Sequence, residues 1–209
     1  MQEMNKDKVI RKVEEYSKTY TGNYDGGHDW WHLNRVRNLA LYIQSAEGSG
    51  DRFLIGIASL LHDIDDKKFG TGSAAGTEEK ISSLLKDLQV DDLTIREVIN
   101  INKYISFSSK DRPSFLSVEF MIVQDADRLD AIGAIGVARA FNYGGFRNNS
   151  VFDPSGIIPS TIGHFDDKLL KLKGLMNTET GRILASERHE FLEVFLRQFY
   201  MEWEFAQQK

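Results

Sequence analysis

The adjacent pair His62-Asp63 closes an apolar run, FLIGIASLL, that occupies residues 53–61. Two further groups of the same chemical kind stand in similar settings: His32 within HDWWHLNRV and Asp127 within MIVQDADRLDAIG. Imidazole nitrogen and carboxylate oxygen are the ligand types that suit a borderline or hard divalent cation. A histidine and an aspartate at the end of a hydrophobic segment must find partners, because burying them without any is costly. One shared cation would satisfy His32, His62, Asp63 and Asp127 together. A cation so held lowers the pKa of bound water and neutralises charge on a phosphate oxygen, so the pattern marks a candidate enzyme.

The order is His32, then His62-Asp63 thirty positions later, then Asp127 after a further sixty-four. Such separations put the groups on three different helices, as in sites built from inward-facing side chains of a helical bundle. The chain reads as helix after helix. Residues 4–20 carry Val9, Ile10, Val13 and Tyr16 at helical spacing, and residues 29–46 repeat the pattern up to Gly48-Ser49-Gly50. Asp51 is expected to cap the helix that carries the apolar run into His62-Asp63. Thr77 is expected to cap a helix reaching about Leu88, and Asp91 or Asp92 another reaching about Ile105. The apolar stretch 116–141 is expected as one long buried helix, followed by a loop at 142–163 rich in Gly, Asn, Ser and Pro. Two last helices are expected at about 164–175 and 180–206. The fold class is all-α.

Composition sets bounds around this. The chain has 209 residues, enough for one sizeable core, and one domain is expected over 1–209. All three prolines lie beyond residue 110, so nothing interrupts the helices of the first half. Net charge is −5 and no dense basic tract occurs, so no nucleic-acid partner is expected. With no cysteine, disulfides and thiolate metal sites are excluded. The opening MQEMNKDKVIRK has no apolar signal-peptide region, and no run approaches the ~20 apolar residues that span a bilayer. A cytoplasmic protein with no membrane partner is expected.

The H…HD…D order, with its flanking residues, resembles the HD-domain superfamily of metal-dependent phosphohydrolases, and within it the small bacterial YpgQ/YedJ type. The resemblance covers nearly the whole chain: GHDWWHLNRVRNLA, LLHDIDDKKF, IVQDADRLDAIGAIGVARAF and the tail from His164 onward. It implies an all-helical HD core at about 25–145, with a C-terminal loop and helices at about 146–209. It also implies one divalent ion (Mn²⁺, Co²⁺, Mg²⁺, Ni²⁺ or Fe²⁺) on His32, His62, Asp63 and Asp127. Asp125 lies two residues from Asp127 and so cannot share its helix face. Asp127 takes the family's Ala-Asp-x-Leu slot.

Several residues around the metal follow from the same resemblance. Asp66, one turn past His62, occupies the slot where related HD nucleotidases use an acid, and is assigned to proton transfer. Lys68 fits the Asp-x-Lys-Phe pattern and, with Lys67, offers positive charge to a polyphosphate; both are equally at home as solvated loop lysines. Arg35, one turn after His32, and Arg128 are phosphate-contact candidates, or buried partners for aspartates such as Asp130. His28 and His32, at i and i+4, superficially match His-Glu-x-x-His, but Asp29 is shorter than Glu. His28 is therefore read as a supporting or substrate-contacting group. Tyr143 could contact a base or sugar, and His164 with Lys168 could face phosphate. Trp30 and Trp31 are read as packing, and Phe191, Phe195, Phe199 and Trp203 as core or interface packing compatible with a homodimer.

The activity implied is hydrolysis of a small nucleotide, foremost cleavage of a nucleoside triphosphate to monophosphate and pyrophosphate. The alternatives are a 5′-nucleotidase, a cyclic-nucleotide phosphodiesterase, a guanosine tetraphosphate hydrolase, or a non-catalytic regulator that binds nucleotide or metal.

Overall fold

The computed structural model describes residues 5–21, 29–64, 74–106 and 115–205. Its elements are α1 (Lys6–Thr21), α2 (Trp30–Glu47), α3 (Arg52–Leu61), α4 (Ala74–Asp87), α5 (Asp92–Tyr104), α6 (Val118–Asp130), α7 (Gly133–Phe146), α8 (Gly163–Asp167), a 3-10 helix (Leu169–Leu175) and α9 (Glu179–Phe205). There is no strand among the described residues, where the sole β-type pairing is an isolated bridge between Ser150 and Ser160. The all-α expectation holds. None of the described helices is long and apolar enough to cross a membrane. The chain divides into two compact units, and the division falls inside α6, between Ala126 and Asp127.

In the first unit α3 is the helix the others enclose. Phe53 and every residue from Ile55 to Leu61 are buried, and a helix apolar on all sides is stable only when surrounded. It packs against α1, α2 and α5, while α4 packs on α5. The facing stripes are Val9 and Val13 of α1, Leu33, Val36, Ala40 and Ile43 of α2, and Ile95, Val98 and Ile101 of α5. Asp51 caps α3 as expected, accepting from the Phe53 and Leu54 amides at 2.7 and 3.1 Å. Asp91, rather than Asp92, caps α5. Thr77 is not a cap: α4 begins at Ala74, and Thr77 is a buried residue inside it.

The second unit corrects the expectation of one helix across 116–141. α6 stops at Asp130 and α7 starts at Gly133 because Ile132 is extended and Gly133 has φ +75°, a value that ends a right-handed helix. A side chain at position 136 would meet the Ala131 carbonyl oxygen at 2.3 Å, so the turn and the next helix approach as closely as they do only because residue 136 is glycine. α7 then runs on to Phe146, so the long loop begins at 147 rather than 142. The loop is closed at its base by Thr161 N–H to the Ser150 carbonyl (2.9 Å) and Ile162 N–H to the Val151 carbonyl (3.0 Å). The stretch 164–175 is a short helix and a 3-10 helix instead of one element. α9 packs on α7 and on the 3-10 helix. Phe195, Phe199 and Trp203 lie in an aromatic cluster with Phe141, Phe165 and Phe152 of this unit. Phe191 is 45% exposed and is no part of that core.

Candidate metal centre

His32 lies in the first turn of α2, where the Asp29 carboxylate caps the helix by accepting its backbone N–H at 2.9 Å. Its side chain has no solvent exposure. His62 follows the last residue of α3, opens the turn 62–64 and still keeps helical backbone angles (φ −65°, ψ −28°). The result brings His32, His62 and Asp63 together. One Asp63 carboxylate oxygen is 3.2 Å from His32 Nε2 and 3.6 Å from His62 Nε2, and one ligand atom from each residue lies within 4.8 Å of the others. The two imidazoles stand edge to face, with centroids 5.2 Å apart.

His62 Nδ1 is 2.8 Å from the Ser59 carbonyl, an acceptor only. Nδ1 therefore carries a proton, and in the neutral ring Nε2 has its lone pair free for a cation. Two imidazole nitrogens and an anionic oxygen aimed at one place suit a divalent cation. Neighbouring ligands on an ion ~2.0–2.2 Å away are separated by ~3.0–3.6 Å, and the two separations from the Asp63 oxygen, 3.2 and 3.6 Å, fall in that range. The negative end of the α3 dipole at this place also favours a cation.

A buried helix end must satisfy its last carbonyls without help from water. Here three side chains do so. Ser59 C=O accepts from His62 itself, Leu60 C=O from Ser17 Oγ of α1 (2.9 Å), and the Leu61 and His62 carbonyls from Asn102 Nδ2 of α5 (2.9 and 3.0 Å). The sequence reading missed Ser17 and Asn102. Their one signal is a polar residue on or beside an apolar stripe: Ser17 continues Val9 and Val13, and Asn102 follows Ile101.

Arg35 is half-buried on α2, one turn after His32. On α6, Asp125 is fully buried in the first unit, whereas Asp127 is half-buried and opens the second. The Arg128 guanidinium donates to the Leu175 carbonyl. Asp130 has an arginine partner in Arg139, at 2.9 Å. Tyr143 is half-buried in the last turn of α7. His164 and Lys168 are half-buried and share one turn, with the Lys168 amide donating to the His164 carbonyl at 3.1 Å. His28, Asp66, Lys67 and Lys68 lie outside the described residues.

No family model matches the chain. It is 38% identical to YpgQ of Bacillus subtilis (strain 168) over 193 residues, covering 91% of this chain and 92% of that one. The crystal structure of B. subtilis YpgQ in complex with ADP superposes with a TM-score of 0.74 at 36% identity, covering 95% of this chain and 97% of the other. A Lactobacillus plantarum protein gives a TM-score of 0.83 at 32% identity, with 95% and 98% covered. A Bacillus thuringiensis protein described as an HD-superfamily hydrolase gives 0.76 at 38% identity, with 96% and 99% covered. With this likeness over almost its full length, and with the His–His-Asp cluster at the end of α3, the chain belongs to the HD-superfamily hydrolases, in the group that includes YpgQ.

Proposed function

We propose that this protein is a metal-dependent phosphohydrolase of small nucleotides, built as one HD-type domain over 1–209, and that its reaction is cleavage of a nucleoside triphosphate to monophosphate and pyrophosphate. The observation that carries this reading is the convergence of one ligand atom each from His32, His62 and Asp63 within 4.8 Å. The binding of ADP by YpgQ supports a nucleotide as the ligand class.

His32, His62 and Asp63 hold the cation, with Asp127 as fourth ligand. A divalent ion there supplies Lewis acidity toward a phosphate oxygen and lowers the pKa of water. The chain does the rest. Arg35, Arg128, Lys67 and Lys68 bind phosphate oxygens, and His164 with Lys168 extends that positive surface. Tyr143 contacts the base or sugar, and His28 supports the substrate. Water forms the new bond to the α-phosphorus while the bond from that phosphorus to the bridging oxygen breaks. Asp66 takes the water's proton, and pyrophosphate departs.

The test is to load folded protein with Mn²⁺, Co²⁺, Mg²⁺, Ni²⁺ or Fe²⁺ and identify products from ribo- and deoxyribonucleoside triphosphates. Equimolar monophosphate and pyrophosphate are expected, with turnover lost in Asp66→Asn while metal stoichiometry stays at one. Orthophosphate alone would move the cleaved bond. Absence of turnover with all five ions would overturn the proposal.

A further inference from the structure

We infer that Asn102 is a positioning residue of the metal centre: its side-chain amide fixes the backbone of His62, and through it the direction in which Asp63 leaves α3. The inference rests on the reading of His32, His62 and Asp63 as metal ligands.

The geometry is specific. An asparagine NH₂ group carries two hydrogens, and Asn102 Nδ2 faces two consecutive carbonyl oxygens, those of Leu61 (2.9 Å) and His62 (3.0 Å). Consecutive carbonyls point to one side only while the backbone stays helical, as His62 does at φ −65° and ψ −28°. The amide therefore holds His62 in helical geometry one residue past the end of α3. That same geometry carries His62 Nδ1 to the Ser59 carbonyl at 2.8 Å, which in turn aims Nε2 at the cluster. Without the amide the His62 carbonyl loses this donor and the Leu61 carbonyl keeps the Ile64 N–H at 3.3 Å, a weaker hold that lets the first residue past the helix fray, so that His62 and Asp63 move together. Asn102 can act at this distance in sequence because α5, which carries it, packs on α3.

Ser17 supplies an internal control. It too satisfies a carbonyl at the end of α3, that of Leu60 at 2.9 Å, but Leu60 is no ligand and lies two residues before His62. Support for the helix end alone would make the two side chains equivalent. Positioning of ligands sets Asn102 apart.

The experiment compares Asn102→Leu, Asn102→Ser and Ser17→Ala with wild type. Two readouts are taken: the thermal midpoint of metal-free protein, and Co²⁺ binding followed through its visible absorption. Loss of an outer contact to a metal ligand typically weakens binding about 10–100-fold, and Asn102→Leu is expected in that range with an altered absorption band. Asn102→Ser keeps one shorter donor and falls between Leu and wild type, and it serves as the test if Asn102→Leu does not fold. Ser17→Ala is expected to lower the midpoint while leaving Co²⁺ affinity within about threefold of wild type, since it touches no ligand residue. Wild-type affinity and spectrum in both Asn102 variants would overturn the inference. So would a Ser17→Ala variant that loses Co²⁺ affinity in the same proportion to its midpoint. Wild-type protein that binds no Co²⁺ would instead remove the metal-centre reading itself.

Discussion

Two irregular stretches of this chain are held by hydrogen bonds in opposite ways. The end of α3 and the turn after it, residues 60–64, are tied from afar: Ser17 lies 43 residues from the carbonyl it meets, and Asn102 lies 40 and 41 residues from its two. The loop at 147–162 is tied at its tip from within. The Asp153 carboxylate accepts from the Ser155 amide and hydroxyl and from the Ile157 and Ile158 amides, none more than five residues away. The turn points its polar side chains inward. The loop does the reverse, with Ile157 83% and Ile158 62% exposed around an internal carboxylate. A turn that must set ligand atoms to within a few tenths of an ångström is referred to rigid helices on either side of it. A loop that only has to keep its own shape needs no such reference.

The largest effect is expected where the comparison is sharpest, at the turn. His62→Ala removes one of three converging ligand atoms and the contact to Ser59 in one step. Metal stoichiometry should fall from one toward zero, with kcat/KM reduced by about 10³-fold or more, equivalent to about 4 kcal/mol of transition-state stabilisation. Metal analysis after gel filtration and steady-state kinetics check it. Retention of a full equivalent of metal would place the centre elsewhere.

A second effect, of intermediate size, probes the base of the loop, where that region too depends on distant residues. A Cβ at position 144 would lie 2.0 Å from Thr161 Oγ1 and 3.2 Å from Thr161 Cβ. Gly144→Ala should therefore destabilise by about 1–3 kcal/mol through overpacking. In a Thr161→Ala background, which removes the nearer atom, most of that loss should disappear. The non-additivity is read from four denaturant melts. Additive losses would mean that α7 shifts instead of colliding.

The same contrast explains what was legible in the sequence. The helices of the first half could be read because periodic apolar positions and the Asp51 and Asp91 caps are local signals. The pair His62-Asp63 was legible because two polar groups end an apolar run, and His32 through the HDWWHLNRV segment that carries the family resemblance. Asp125 and Asp127, two residues apart on one helix, differ in burial as helical periodicity demands. What was not legible depends on backbone angles or on distant partners. The apolar pattern shows no break at Ala131-Ile132, and it is the extended Ile132, the φ of Gly133 and the close approach at Gly136 that separate the two helices there. Thr77 has the composition of a cap, but helical residues precede it. Ser17 and Asn102 carry no local sign of the carbonyls they serve, because those partners are supplied by another helix.

The smallest effect belongs to the tip of the loop, and it tests whether that tip is as self-contained as its hydrogen bonds imply. The Ile158 amide first, and then the Ser155 hydroxyl, hold the Asp153 carboxyl below its ordinary value of 3.8. A depressed folded-state value means that the stabilising contribution is present above the unfolded pKa and is lost as pH falls through the lower, folded one. Protection of the Ile157 and Ile158 amides against hydrogen exchange should therefore be full at neutral pH and decline only below about pH 3.8. In Asp153→Ala those two amides should lose about tenfold or more of their protection at neutral pH, and lowering the pH should change it no further. The thermal midpoint of the whole protein should stay where it is, because all four donors to the carboxylate belong to the loop itself. A midpoint that fell with Asp153→Ala would show that the tip, like the turn after α3, depends on the helices around it, and the contrast between the two regions would be lost.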